Sequence, residues 1–170
     1  MPHRFDRDGL GGFTLVEIII VIAIVGIVAV IAASSFRGMM EKYRVEGETK
    51  QMFADLMDAR GRAMQRNRAF FVQIGPNGYS TFEDSSPAPD GNGSLENSTD
   101  TLTTSATVSH TITTAPGGLS NFGFNRNGIA NATGFIRFSS TVLPDYDCIT
   151  VNATRIKMGQ YNATDNCVEK

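Results

Sequence analysis

The sequence predicts an α+β fold, in which one long N-terminal helix packs on a C-terminal antiparallel β domain. Two observations indicate this. Residues 13–68 contain no proline and are either wholly apolar or amphipathic at helical spacing. From residue 69 onward, short aromatic and β-branched runs alternate with turn-forming residues, as in antiparallel sheets. We divide the 170 residues into a leader, an apolar helix half, an amphipathic helix half and a β domain, at 1–12, 13–36, 37–68 and 69–170.

The apolar half of the helix is long enough to cross a membrane. Between Phe13 and Ala33 only Thr14 and Glu17 are polar, and about 21 residues of helix span roughly 30 Å of hydrocarbon. A plain membrane anchor, an uncleaved signal peptide, or a signal peptide cut near Ala32–Ser35 would explain the length. A carboxylate inside such a segment costs about 2.5–3.5 kcal/mol, so Glu17 is expected to have a partner or a role.

The amphipathic half is expected to lay an apolar stripe on the β domain and to stop at Asn67, which gives a helix of about 55 residues in all. Most of the other face is charged. The predicted stripe comprises Met40, Tyr43, Gly47, Phe53, Leu56, Met57, Ala63 and Met64, and the charged face comprises Arg37, Lys42, Glu46, Lys50, Asp55, Asp58, Arg62 and Arg66.

At least six short strands are predicted beyond the helix. Turn residues at 76–78 and 152–154 each predict a hairpin, and the turn at 125–128 predicts a third. The segment 83–100, rich in Pro and Gly, is expected to be a surface loop. The predicted strands are 70–74, 79–82, 122–124, 134–138, 148–151 and 155–158, with further β structure in 101–114.

The chemistry-bearing residues are few. Cys148 and Cys167 should pair if the domain is exported, with two unpaired thiols as the alternative. His3 and His110 are the only histidines, and no CxxC or HxxxH spacing occurs, so neither a metal site nor a cofactor is expected. We expect His110 to be a surface strand residue.

Enzymatic and nucleic-acid-binding functions find little support in the composition. There is no nucleophile elbow and no Gly-rich phosphate loop, so we expect the protein not to be an enzyme. A net charge of −2 gives no general attraction to nucleic acid. The basic cluster at the end of the helix is better explained by the negative end of the helix dipole; it consists of Arg60, Arg62, Arg66 and Arg68.

The stretch from Gly12 to Glu17 resembles the class III signal of type IV pilins and type II secretion pseudopilins. In that family a short leader ends in Gly, and a mature Phe opens a hydrophobic helix with Glu at its fifth position. The resemblance implies that a prepilin peptidase cuts after Gly12 and that the amine of Phe13 is N-methylated. It also implies that Glu17 engages the N-terminal amine of a neighbouring subunit in a helical filament.

The same resemblance implies a location and a set of partners. The protein would be a single-pass protein of the bacterial inner membrane with a periplasmic C-terminal domain, and would then join a pilus or pseudopilus. Its partners would be the peptidase, other pilins or pseudopilins, an inner-membrane assembly platform and membrane lipid.

The remainder of the chain resembles the GspH/FimT subgroup of these proteins, which adopts the pilin fold. The similar segments are Leu56–Met64 with Phe71–Ile74, then Phe124–Gly128, then Ile149–Lys157. The subgroup implies a minor pilin that primes assembly or sits at the tip, with a type II secretion pseudopilin as the alternative. FimT-type pilins contact DNA through Gly-Arg-x-Arg; here Thr154-Arg155-Ile156-Lys157 departs from that motif, so DNA binding by Arg155 and Lys157 is a lesser expectation.

Overall fold

The computed structural model of the protein describes residues 12–89, 91–115, 117–164 and 166–170. The predicted leader, residues 1–12, lies outside these residues except for Gly12. The chain divides into two compact units, one up to Met39 and one from Met40 onward. The described elements are helix α1 (Leu15–Arg66), strands β1 (Phe70–Gly75), β2 (Gly78–Glu83), β3 (Thr101–Thr107), β4 (Ile112–Ala115), β5 (Asn121–Phe124), β6 (Gly134–Phe138), β7 (Cys148–Val151), β8 (Ile156–Asn162) and β9 (Asn166–Glu169), and a 3₁₀ turn at Gly117–Ser120.

The helix in the second unit buries one regular stripe against the strands. The buried positions alternate in steps of four and three, which keeps them on one helix face. They pack in a core with aromatic and aliphatic side chains of both sheets, among them Phe70, Phe124, Ile136 and Ile149. The buried residues of this stripe are Val45, Thr49, Met52, Leu56, Ala59 and Ala63.

The predicted stripe was correct at Leu56 and Ala63, and Phe53 is partly buried against the core, but the other predicted positions are exposed. Four of its members, Met40, Tyr43, Met57 and Met64, are 41–59% exposed. The reason is that the helix carries two apolar series at similar spacing, and the buried one contains a polar residue. The hydroxyl of Thr49 donates a hydrogen bond to the Val45 carbonyl oxygen at 2.8 Å, so Thr49 can occupy a core position. Glu46, predicted on the charged face, is also buried.

The helix ends where the sequence predicted. The last helical residue is Arg66, and Asn67 adopts a left-handed conformation with φ of 54°. Asn tolerates this region better than most residues, so it can terminate a helix without glycine. Arg68 and Ala69 follow Asn67, and β1 begins at Phe70.

The strands form two antiparallel sheets, ordered β3-β2-β1-β5 and β4-β6-β7-β8-β9. The predicted hairpins β1–β2 and β7–β8 are present. The predicted hairpin from β5 to β6 is wrong, because these strands lie in different sheets. Its turn does close, with the Gly128 amide donating to the Asn125 carbonyl at 2.7 Å, but it leads only to a single bridge between Phe124 and Ala130.

Strand β9 was missed because Asn166–Glu169 shows no hydrophobic alternation. It is fastened by a disulfide from Cys167 to Cys148 of β7, with a Cα–Cα distance of 5.9 Å. Strand β8 lies between the two bonded strands, with Gly159 paired to both Cys148 and Glu169. A Cβ atom on Gly159 would lie 2.2 Å from the Val168 carbonyl oxygen and 3.1 Å from the Cys167 sulfur. Glycine is therefore the residue that fits beneath this bridge.

Gly159→Ala should lower the free energy of unfolding by about 1–3 kcal/mol, because the added methyl group meets backbone that cannot move without disturbing β9. Thermal unfolding of the purified full chain in detergent measures the loss. Gly47→Ala is the matched control, since the space around Gly47 is open and a helical Gly→Ala change stabilises by about 1 kcal/mol. Equal stability of Gly159→Ala and the unmodified protein would contradict the packing described.

Candidate functional site

The N-terminus of α1 is capped by a side chain of its own sequence. Thr14 precedes the first helical residue, and the Glu17 amide donates to the Thr14 hydroxyl oxygen at 3.2 Å. The spacing Thr-x-x-Glu is that of a capping box, and a carboxylate in the first turn also complements the helix dipole by about 0.3–1 kcal/mol. Glu17 therefore also has a local structural role at the start of the helix.

The first half of α1 presents an apolar surface that the described residues do not cover. Every large apolar side chain from Leu15 to Val30 is at least 46% exposed. Within this stretch Glu17 is the one charged residue. The described residues contain one helix that is long and apolar enough to cross a membrane, and it includes this surface. A contiguous apolar surface of this size requires lipid or other helices around it.

Arg155 and Lys157 lie together, with Lys157 in β8 and Arg155 directly before the first residue of that strand. They do so around an acidic residue: the Glu169 carboxylate accepts from Arg155 at 3.0 Å and from Lys157 at 3.1 Å. The hydrogen bond from Lys157 is the largest cause of a lowered Glu169 pKa, and Thr150 and Arg155 add to it. The pair therefore keeps one net positive charge, and its carboxylate partner competes with any phosphate.

The basic cluster at the end of α1 is engaged within the molecule. Arg66 and Arg68 both pair with Glu83, Arg68 at 3.1 Å, and the Glu83 side chain is only 6% exposed. Arg62 pairs with Asp58 at 2.7 Å. The contacts of Arg66 and Arg68 connect the helix end to β2, whereas that of Arg62 stays within the helix. Three of the four arginines are therefore paired without a nucleic-acid ligand.

Polar contacts from α1 hold the strands and loops in place, and sequence reasoning missed them. Asp55 accepts a hydrogen bond from the Tyr79 hydroxyl at 2.6 Å, and Glu46 accepts one from the Asp145 amide at 2.9 Å. The expectation that His110 is a surface residue is wrong, since its side chain is 8% exposed and contacts two helix carboxylates. Nothing in the sequence pairs these residues, because each contact joins positions at least 24 residues apart.

An N-terminal helix with an exposed apolar first half, whose later turns pack on antiparallel sheets, defines the pilin class of protein. The solved structure of the type IV minor pilin FimU from Pseudomonas aeruginosa strain PAO1 is similar to the chain. The TM-score is 0.52 with 14% sequence identity, over 77% of this chain and 98% of that one. This likeness confirms the predicted fold.

The family is shown by sequence models. The model described as type II transport protein GspH matches residues 48–155, and the chain belongs to that family. The model described as prokaryotic N-terminal methylation motif matches residues 11–33, which include Gly12, Phe13 and Glu17. A comparison with curated proteins finds no match. The chain thus combines the GspH family domain with an N-terminal methylation motif, and this motif implies peptidase processing and assembly of pilin or pseudopilin type.

Proposed function

We propose that the protein is a minor subunit of a type IV pilus that is processed at Gly12, methylated at Phe13 and incorporated near the filament tip, where it helps to prime assembly. The observation that carries the proposal is the uncovered apolar surface of α1 with a single carboxylate near its start. Lipid can cover this surface before assembly, and the helices of neighbouring subunits can cover it afterwards. It is not an enzyme but a structural subunit, anchored in the inner membrane until it is assembled.

The charge of Glu17 fits this role. Cleavage after Gly12 leaves a cationic amine on Phe13, and methylation keeps that charge. A cation and an anion are each costly in hydrocarbon, but a pair contributed by neighbouring, staggered helices neutralises both. The capping contact with Thr14 uses only the Glu17 amide, so the carboxylate itself is available to a neighbour.

A pseudopilin of a type II secretion system is the alternative. The matched family model is described as a type II transport protein, whereas the similar solved structure is a type IV minor pilin. We favour the pilus because the C-terminal segment is closed by a disulfide, as is common in pilins. Recovery of the protein in sheared surface pili supports the pilus, and recovery only with secretion machinery supports the alternative.

Mass spectrometry of the protein from its native membrane should find a chain that begins at an N-methylated Phe13. The expected mass equals residues 13–170 plus one methyl group, with the disulfide closed. A strain that lacks prepilin peptidase is the control, because it should yield residues 1–170 without methylation. An N-terminus at Met1 in the peptidase-positive strain would refute the proposed processing.

Glu17→Gln should reduce incorporation into filaments by at least tenfold while leaving membrane insertion and cleavage intact. Glutamine preserves the capping-box pattern but cannot neutralise the amine of a neighbour. Quantitative immunoblotting of the filament and membrane fractions measures the ratio.

Thr14→Ala is the matched control for that variant. It removes the hydroxyl that caps the helix but leaves the carboxylate of Glu17, and a lost cap costs about 1 kcal/mol. Incorporation should therefore remain within a few-fold of the unmodified protein. If Thr14→Ala is as defective as Glu17→Gln, helix capping rather than charge pairing explains the effect.

We propose DNA binding at Arg155 and Lys157 as a second candidate function, because both cations contact the Glu169 carboxylate and so lie within reach of one ligand. Glu169→Gln should free both cations and tighten the binding of duplex DNA. The number of phosphate contacts given by the salt dependence of the binding constant should rise by about one. Titration of the full chain in detergent at two salt concentrations measures this. Binding that is unchanged in both Glu169→Gln and Arg155→Gln/Lys157→Gln would exclude this surface.

A further inference from the structure

One buried histidine connects the β domain to the helix through two carboxylates. Glu41 and Glu48 are separated by two turns of α1 and therefore lie on one face. His110 lies between them, with Nδ1 2.7 Å from Glu48 Oε2 and Nε2 2.9 Å from Glu41 Oε1. The backbone amides of Ser109 and His110 also donate to Glu48, at 2.8 and 3.2 Å. Four contacts thus hold this short connection on the helix.

The geometry specifies the protonation state of the ring. A neutral imidazole carries one N–H, so it can donate to one carboxylate but not to two. Both ring nitrogens face carboxylate oxygens, so both contacts are satisfied only by the imidazolium form. Burial lowers the pKa of His110, but the hydrogen bonds and charges of Glu41 and Glu48 outweigh burial and the pKa is raised.

The connection held by His110 links the two sheets. Residues 108–111 join β3, an edge strand of one sheet, to β4, an edge strand of the other. Val108 and Ile112 fix the two ends of this connection by donating to the carbonyls of Asn77 and Pro76 at 3.0 and 2.8 Å. Between these ends, Ser109 and His110 contact the helix through the side chains of Glu41 and Glu48. Loss of the ring proton would set a nitrogen lone pair against a carboxylate at one of the two contacts.

We propose that Glu41, His110 and Glu48 form a pH-sensitive latch that fastens the β3–β4 connection to α1 when the imidazole is charged and loosens it when the imidazole is neutral. The latch would act in the same way in either kind of filament, because processing and assembly at the N-terminus do not use these three side chains.

The sign of the pH dependence follows from the two kinds of group. The pKa of His110 is raised, so its stabilisation is complete below its unfolded value of about 6.5 and is lost as the pH rises through the folded value. Burial raises the pKa of Glu48, but the hydrogen bonds from Ser109 and His110 lower it overall. Its stabilisation is present above its unfolded value of about 4.3 and is lost as the pH falls through the folded value. The latch is therefore tightest in mildly acidic solution.

Among the residues that the structure describes, no charged group besides Glu41 and Glu48 contacts the His110 ring. Strands β3 and β4 and their connection contain no titratable residue besides His110. The segment after β6 contacts this connection, because the Ser139 amide donates to the Thr111 carbonyl. Its acidic residues have other partners: Asp145 pairs with Lys42, and Asp147 accepts a hydrogen bond from the Tyr161 amide. The charges that act on the ring come from Glu41 and Glu48.

Hydrogen exchange of the full chain in detergent, followed by mass spectrometry of peptides from residues 101–115, tests the latch at pH 6 and pH 9. After correction for the intrinsic pH dependence of exchange, the native protein should exchange severalfold faster at pH 9. His110→Asn should remove this difference. Glu41→Gln, which leaves the Glu48 contacts in place, should move the midpoint of the change to lower pH.

Asp58→Asn is the control, because Asp58 pairs with Arg62 on the same helix and does not contact His110. It should keep the pH dependence of the native protein. Corrected exchange that is equal at both pH values in the native chain would overturn the proposal. So would a pH dependence that persists unchanged in both His110→Asn and Glu41→Gln.

Discussion

The burial of one helix face is the constraint on which the β domain depends. The stripe from Val45 to Ala63 is covered by side chains of both sheets, so the two sheets share a core through the helix. Burying the stripe also fixes the rotation of α1. That rotation turns Glu46, Glu48 and Asp55 toward the loops and strands, where each accepts a hydrogen bond. The apolar packing thus positions the polar contacts, and these determine where the connecting segments lie.

The first half of the same helix also has an apolar surface that must be kept from water. The apolar side chains between Leu15 and Val30 are exposed, and they need lipid or other helices. The two halves of this 52-residue helix therefore have different functions. Its first turns lie within the match to the N-terminal methylation motif, residues 11–33, and its later turns lie within the GspH match, residues 48–155.

The sequence predicted most elements because their signals are local. A few adjacent residues determine the end of the helix at Asn67, the β1–β2 hairpin at 76–78 and the β7–β8 hairpin at 152–154. The register of the buried stripe could not be read reliably, since Thr49 occupies a core position while Met57 and Met64 face outward. Strand β9 and the place of β5 depend on pairing with distant strands, and so does the burial of His110. Such contacts carry no signature in a single sequence, so the latch could be found only from the structure.

The central claim is that the exposed first half of α1 becomes buried among the helices of a filament. The most direct measurement is a carbodiimide cross-linking experiment on intact filaments, with the products identified by mass spectrometry. The account predicts a covalent link between the Glu17 carboxyl group and the N-terminal amine of an adjacent subunit. Filaments that contain the protein but in which Glu17 links only to lipid, or to nothing, would contradict it.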